Sequence, residues 1–308
     1  MYQKVLDYLY RSPRSKIRTI NRFGGFFNYY SVIRNQKRME ERSLTLPPLE
    51  LSLNGLPIFF LTGKKYLYQT LFCIHSLVKS TAEDFSVYLV DDGSFDEELI
   101  NRVQRQLPGA VIIGADTIEN NLSAKLPSEK YPVIRNKRAV YPHLKKLTDV
   151  HTIDFDIPFK VVLDSDMLFW NKPEQFIKWL KSPDKPIYML DSERSYGYSL
   201  EKMGSLCGDE VPDLVNVGLI GIESKTIDWN ALETWIKELE DSGGTSYYLE
   251  QALSAMIIGK QQSIILPRNQ YIVNPSASDI DQRRGVLHHY VDLSKEGYFK
   301  KSWKKIAN

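Results

Sequence analysis

The stretch Phe159-Lys160-Val161-Val162-Leu163-Asp164-Ser165-Asp166-Met167-Leu168-Phe169-Trp170 decides how the rest of the chain is read. Val161, Val162 and Leu163 form an unbroken apolar run, the mark of a strand buried on both faces. The run ends in two carboxylates separated by one small polar residue. In extended backbone the side chains alternate, so Asp164 and Asp166 are expected to point the same way, on the order of 7 Å apart. Carboxylates aimed together repel unless positive charge lies between them, and a hard divalent cation gripping a diphosphate meets that need. The pattern is weak by itself. Asp154-Phe155-Asp156 and Asp279-Ile280-Asp281 share it, and chance supplies roughly one match at this Asp content. Only Asp164-Ser165-Asp166 follows a buried run, and ligands of open α/β sheets gather at the carboxyl ends of strands. A solvated strand end is the rival reading.

Upstream, residues 56–61 read as a buried strand, 62–65 as a turn, and 66–80 as a helix. A strand at 85–90, a helix at 97–107 and a short strand at 110–113 follow. This alternation predicts a parallel sheet with helices on both faces. Asp91-Asp92-Gly93-Ser94 lies at the end of its second strand. A carboxylate there can bind a nucleoside, and the same residues equally suit a helix cap and turn. Residues 116–137 are polar and irregular and read as a mobile loop. Arg135-Asn136-Lys137-Arg138 then opens a helix through Leu147, with Arg138 the preferred cation for a diphosphate because Ala139, Val140 and Leu144 mark a buried face nearby.

Downstream, a turn at 172–176 leads into a helix, 186–190 into a strand, and 192–212 into a loop suited to an acceptor-side rim. The strand at 215–222 carries Asn216 and Gly218, where backbone and ligand could approach closely. A helix at 228–240 ends at Gly243-Gly244, and the next, at 247–257, bears Glu250 and Gln251 among apolar neighbours. Strands at 263–266 and 271–273 precede His288-His289, Lys295 and a basic end. A histidine pair after an apolar run is more often structural, yet a borderline cation such as Mn²⁺ accepts imidazole beside carboxylates.

The 308 residues suffice for one large α/β domain or two small ones, and 43% hydrophobic with 25% charged is an ordinary globular balance. The formal net charge is +2, but residues 1–50 hold ten Lys/Arg against four Asp/Glu, net +6, leaving −4 for the rest. No run approaches the roughly 18 apolar residues of a membrane span, and the N-terminus lacks a secretory apolar core. Cys73 and Cys207 read as reduced thiols. A cytoplasmic protein is expected, with peripheral contact at the inner membrane face as an open possibility for residues 1–46. That segment offers a helix at 2–10, a basic stretch from Arg11 to Arg22, and a second helix at 29–42. Two readings apply: an arm that packs its aromatics on the main domain, the favoured one, or a segment lying on an anionic membrane. A division into a basic helical extension, 1–50, and a main domain, 51–308, follows.

With these pieces in order, residues 56–303 resemble metal-dependent GT-A-type nucleotide-sugar glycosyltransferases, of the glycogenin-like and lipopolysaccharide-galactosyltransferase-like group. Four features match in sequence order: Arg138 with Tyr141-Pro142 leading into the strand and Asp164-Ser165-Asp166; Asn216-Val217-Gly218; Glu250-Gln251 on a helix; and a C-terminal histidine followed by Lys and Trp. The resemblance implies a Rossmann-like fold with a mostly parallel central sheet and an N-terminal helical extension. It implies transfer of a sugar from a nucleoside-diphosphate sugar, a UDP-sugar in that family, to an acceptor hydroxyl in cell-surface or extracellular glycan synthesis. Asp164 and Asp166, with His289 or, as the second choice, His288, would hold Mn²⁺ or Mg²⁺. Thr62, Asp92, Arg138 and Lys295 would line the donor site, Asn216 and Glu250 would meet the donor sugar, and Gln251 would lie beside the anomeric centre.

The chain departs from the family pattern in spreading Lys295 and Lys301-Ser302-Trp303 apart. Its Asp91-Asp92-Gly93-Ser94 is similar to a motif of inverting, processive enzymes. Retention is slightly favoured, because Gln251 cannot act as a base at neutral pH. Acceptors from glycans, lipid-linked sugars or proteins are all compatible, whereas nucleic acid is not expected with the basic charge confined to the two ends. The rivals are a nucleotide-sugar-binding domain without turnover and a phosphatase of the haloacid-dehalogenase type, whose nucleophilic Asp starts the same pattern on its first strand.

Overall fold

The computed structural model describes residues 12–307; the helix expected at 2–10 lies outside them. Among the described residues ten strands alternate with helices: β1 Leu56–Thr62, β2 Phe85–Asp91, β3 Val111–Ile113, β4 Phe159–Leu163, β5 Met167–Phe169, β6 Ile187–Leu190, β7 Val215–Glu223, β8 Ile264–Leu266, β9 Tyr271–Val273 and β10 Leu287–His289. Seven form the central sheet in the order β3-β2-β1-β4-β7-β6-β8. Only β7 runs antiparallel to its neighbours. The expected α/β architecture with a mostly parallel sheet is the one found.

Both faces of that sheet are covered, which is why its strands read as continuous apolar runs. Phe59, Val90, Val162 and Ile220 belong to one core, while Ile58, Phe60, Val161, Leu163 and Leu219 belong to the other. A second sheet of three strands, β5-β10-β9, caps one end. In it β10 pairs antiparallel with β5 and parallel with β9, setting His289 opposite Met167 and Val273.

Several local expectations are corrected. Residues 116–137 hold no loop throughout but two helices, Ala115–Lys125 and Pro132–Val140. Ile118, Leu122 and Leu126 bury one apolar residue per turn, too sparse a stripe to stand out in a polar sequence. The helix expected to run from Arg135 through Leu147 breaks at Tyr141-Pro142, because proline cannot continue the backbone ladder; a short 3₁₀ turn, Pro142–Leu144, precedes the helix Lys145–His151. Within 192–212, the helix Leu200–Cys207 starts where the Ser199 hydroxyl accepts the Lys202 N–H. Asp164 to Asp166 are not extended: they form the turn between β4 and β5, and that turn brings the carboxylates together.

The helix Phe26–Ser43 buries Val32, Met39 and Ser43 against the main body. Its aromatics do not follow: Phe26, Phe27 and Tyr30 are exposed. The expectation that the N-terminal arm packs its aromatics inward therefore fails at these three positions, although Phe23 does pack on the core.

Candidate active site

β4 delivers its carboxylates at the edge where β7 bulges. The β6–β7 register shifts between Tyr188 and Met189, and Gly218 on the displaced segment uses its carbonyl to accept the Asp164 N–H at 2.7 Å. The Asp166 carbonyl in turn accepts the Tyr290 N–H at 2.9 Å, tying the turn to the end of β10. Below it, Thr62, Thr70 and Ser165 share a chain of hydroxyl hydrogen bonds, each 2.8 Å long. Thr62 is fully buried, so its hydroxyl supports the turn from beneath.

Asp164, Asp166 and His289 converge: their ligand atoms all lie within 4.8 Å of one another. His289 Nε2 is 3.6 Å from Asp164 Oδ2 and 3.3 Å from Asp166 Oδ1. The ring is aimed from behind. Its Nδ1 lies 3.1 Å from Asn216 Oδ1, and an amide oxygen accepts, so the proton is on Nδ1 and the Nε2 lone pair faces the carboxylates. The same Asn216 oxygen accepts the Gly218 N–H at 2.9 Å. Gly218 is the residue this ring needs, because a Cβ there would come within 2.3 Å of His289 Cε1. Strand alternation turns His288 the other way. It is fully buried, with Nε2 2.7 Å from the Arg284 carbonyl. Two carboxylates and a preoriented imidazole form a donor set that fits a divalent cation at the hard-to-borderline range.

Two lysines flank this group. Lys295 Nζ is 3.1 Å from Asp166 Oδ2, and Lys146 Nζ is 2.5 Å from Asp164 Oδ1 and 4.0 Å from Glu250 Oε2. Asp166 raises the Lys295 ammonium to about 12 against the opposing effect of burial. Burial would push Lys146 down, but Asp164 and Glu250 beside it hold its ammonium above the usual range. Burial would likewise raise Asp166, but Lys295 and His289 outweigh it and hold its carboxyl well below the usual range. Glu250 is 4% exposed. Burial pushes its carboxyl up and Lys146 pulls it only part of the way back, leaving it at about 7. Gln251 is held differently, its amide donating to Asp191 Oδ2 at 2.9 Å.

The turn after β2 lies across the sheet. Asp92 carries the Ser94 hydroxyl on Oδ1 and the Lys145 ammonium on its carbonyl, each at 2.5 Å. A neighbouring cavity of about 310 Å³ is lined by Asp91, Gly93, Asp116, Glu119, Lys145 and Arg138. Arg138 reaches it while bonded through two nitrogens to the buried Asp149, at 2.5 and 2.6 Å. The Asp92 turn and Arg138 are thus brought together, whereas Arg138 makes its charge pair with Asp149 and not with the Asp164 turn.

Lys146 and Asp191 were missed in the sequence reading. The structure shows why Lys146 needs a partner, since five of the seven residues of Lys145–His151 are buried, but that burial leaves no local mark in the sequence. Asp191 stands at a strand end before a loop and carries no such mark either.

No protein-family model matches the chain, and no curated protein matches it in sequence. Among solved structures it is similar to the galactosyltransferase LgtC, crystallised with donor and acceptor sugar analogues, at 13% identity and a TM-score of 0.52 over 82% of this chain and 95% of that one. Weaker likenesses reach mouse xyloside xylosyltransferase 1 (11% identity, 78% and 97% covered, TM-score 0.47) and glycosyltransferase GlyE of Streptococcus pneumoniae TIGR4 (13%, 82% and 62%, 0.47). The likeness to the galactosyltransferase is one of architecture, and it shows that this chain has the GT-A glycosyltransferase fold.

Proposed function

We propose that the protein transfers a sugar from a nucleoside-diphosphate sugar, a UDP-sugar first among candidates, to an acceptor hydroxyl in glycan synthesis on the cytoplasmic side. One observation carries the reading: Asp164, Asp166 and His289 meet at the carboxyl end of β4 with a lysine on either side. Asp164, Asp166 and His289 would hold Mn²⁺ or Mg²⁺, which supplies positive charge to a departing nucleoside diphosphate. Lys146 and Lys295 add two fixed ammonium groups at the same place, complementary to diphosphate oxygens. Asn216 keeps His289 in the tautomer and orientation that this donor set requires. The turn after β2, with Asp92, and Arg138 beside its cavity are assigned to the nucleoside half of the donor.

Glu250, titrating at about 7, can hold or release a proton near neutrality. Gln251 cannot, and its amide is fixed on Asp191. We assign Gln251 to the donor sugar and favour retention of the anomeric configuration, which NMR of the product decides directly. A phosphatase reading of Asp164 loses its ground in this fold, where β4 is preceded by three strands and not the first.

The test is nucleoside-diphosphate release from a panel of nucleotide-sugars with Mn²⁺, with and without chelator. Metal-dependent release from one donor, abolished in Asp166→Asn, is the expected result. Binding of a donor without turnover would replace this reading with that of a nucleotide-sugar-binding domain.

A further inference from the structure

The N-terminal helices Ser12–Arg22 and Phe26–Ser43 turn an unusual surface outward. On the second helix Phe26, Phe27, Tyr30, Arg34, Lys37 and Arg38 are exposed, with 26, 30, 34 and 38 at i, i+4, i+8 and i+12, so the stripe is aromatic at its start and cationic further along, and the exposed Glu40 and Glu41 end it in the last turn. Phe27 is 89% exposed, Phe26 and Tyr30 62% each. The rings already form a cluster: Phe26 stacks on Tyr30 at 6.4 Å and meets Phe27 edge-on at 6.0 Å. On the first helix Ile17 is 57% exposed next to Arg18. Arg18, Arg34, Lys37 and Arg38 have no ion-pair partner among the described residues.

This surface is fixed to the body. The opposite side of the helix buries Val32 and Met39, Gln36 donates to the Tyr68 hydroxyl at 2.9 Å, and Arg22 pairs with Asp292 at 2.5 Å. Asp292 lies three residues before Lys295, so the helix pair grips the segment that brings Lys295 to Asp166. The cationic character continues beyond the helices. A groove of about 450 Å³ is lined by Arg283, Lys300, Lys301, Lys304 and Lys305 together with Asp281, which pairs with Lys301 at 2.7 Å, and Lys304 reaches Asn35 of the second helix at 3.1 Å. Arg283, Lys304 and Lys305 lack acidic partners among the described residues.

We propose that this face docks on an anionic bilayer, with the Phe26, Phe27 and Tyr30 rings entering the headgroup boundary and the flanking arginines and lysines meeting lipid phosphates. Aromatic rings beside unpaired cations are the composition that an interfacial helix uses: the rings gain by leaving water, and the cations gain in the negative surface potential. A second copy of this chain is the poorer occupant, because a symmetric contact would set these unpaired cations against their own kind.

The experiment is flotation of the full chain with vesicles of phosphatidylcholine alone or with phosphatidylglycerol added, at low and high salt. Wild type is expected to float with the anionic vesicles and not with the neutral ones, and to be released by salt. Phe26→Ser/Phe27→Ser/Tyr30→Ser and Arg34→Glu/Lys37→Glu/Arg38→Glu should each lower partitioning at least about tenfold, and Lys225→Glu, exposed elsewhere, should not. The single variant Phe27→Ser, whose ring is almost entirely in water, guards against misfolding and should show a smaller loss. Absence of binding to anionic vesicles, or binding kept by both triple variants, overturns the proposal. So does a wild-type dimer that the aromatic variant converts to monomer. Vesicle binding requires no turnover, so it stands or falls separately from sugar transfer.

Discussion

Two aspartate turns, at the ends of β2 and β4 with β1 between those strands, do opposite things with their carboxylates. After β2, Asp91 is 5% exposed and folds back on its own turn, its Oδ1 accepting the N–H groups of Gly93, Ser94 and Phe95 at 2.7, 2.9 and 3.1 Å. After β4, the carboxylates of Asp164 and Asp166 meet groups from far along the chain: Lys146, His289 and Lys295. The first turn uses an acid to satisfy backbone donors, which any stable loop can do. The second gathers two acids and balances them with side chains from three other segments, an arrangement that costs stability without a compensating charge. The first acid holds its own loop together, whereas the second pair is held by distant partners, which is the arrangement the proposed metal and donor site requires.

The sharpest way to break this contrast is Asp166→Asn. The change removes one of the proposed metal ligands and the partner of Lys295 while keeping the shape of the turn. Metal-dependent donor turnover should fall by about 10³-fold, roughly 4 kcal/mol of transition-state stabilisation, read as nucleoside-diphosphate release with excess Mn²⁺. The pH signature is separate. The folded carboxyl lies below its ordinary value of 3.8, so its pairing stabilises the fold above that pH and the contribution is lost as pH falls through lower values. Asp166→Asn should therefore flatten the acid limb of a stability-versus-pH curve. A variant that retains turnover would mean the two turns do not differ in the way argued.

Asp91→Ala tests the other turn. Three backbone N–H groups lose their acceptor at a buried site, and a destabilisation of about 3 kcal/mol is expected. Thermal unfolding should show it, while Mn²⁺ affinity per folded molecule should stay unchanged. Loss of metal affinity with no loss of stability would reverse the two roles.

The difference between the turns also explains what the sequence could show. The strands, their order along the chain and the place of Asp164 and Asp166 at a strand end follow from apolar runs ending in charge, because burial on both faces leaves that imprint locally. The resemblance in motif order led to His289, and the geometry favours it over His288 because β10 places alternate residues on opposite sides. What stayed hidden is long-range. Lys146 gives no local sign of pairing with Asp164, eighteen positions on, and the convergence of the two acids comes from a turn that a sequence of alternating polarity presents as strand. The outward aromatics of residues 26–30 were hidden for the same reason: their spacing fits a helix, and only the packing of Val32 and Met39 decides which side faces water.

Gly218→Ala acts on the second turn at one remove from its acids. A Cβ at this position would stand 2.3 Å from His289 Cε1 and 2.9 Å from Asn216 Oδ1. The imidazole must move, and with it the hydrogen bond that keeps the proton on Nδ1. Metal affinity is expected to fall by about 10- to 100-fold, the range for a lost supporting contact, with Asp164 and Asp166 intact. Titration calorimetry with Mn²⁺ reads this directly. Unchanged affinity would show that the histidine is a neighbour of the site and not one of its ligands.

The smallest effect separates Asp92 from both turns. Unlike the buried Asp91, it is half-buried and its side chain holds only the Ser94 hydroxyl, while its backbone carbonyl takes the Lys145 ammonium. Asp92→Asn keeps the shape, and an amide oxygen can still accept from Ser94, so little stability is at stake. If the carboxylate serves the nucleoside half of the donor, the substitution weakens donor binding alone. An increase in donor KM of up to about tenfold, near 1.4 kcal/mol, is expected with kcat nearly constant. A fall in kcat with KM unchanged would move Asp92 from binding to the chemical step. A drop in Tm like that expected for Asp91→Ala would make it a second structural acid, and the nucleoside pocket would then have to be sought away from this turn.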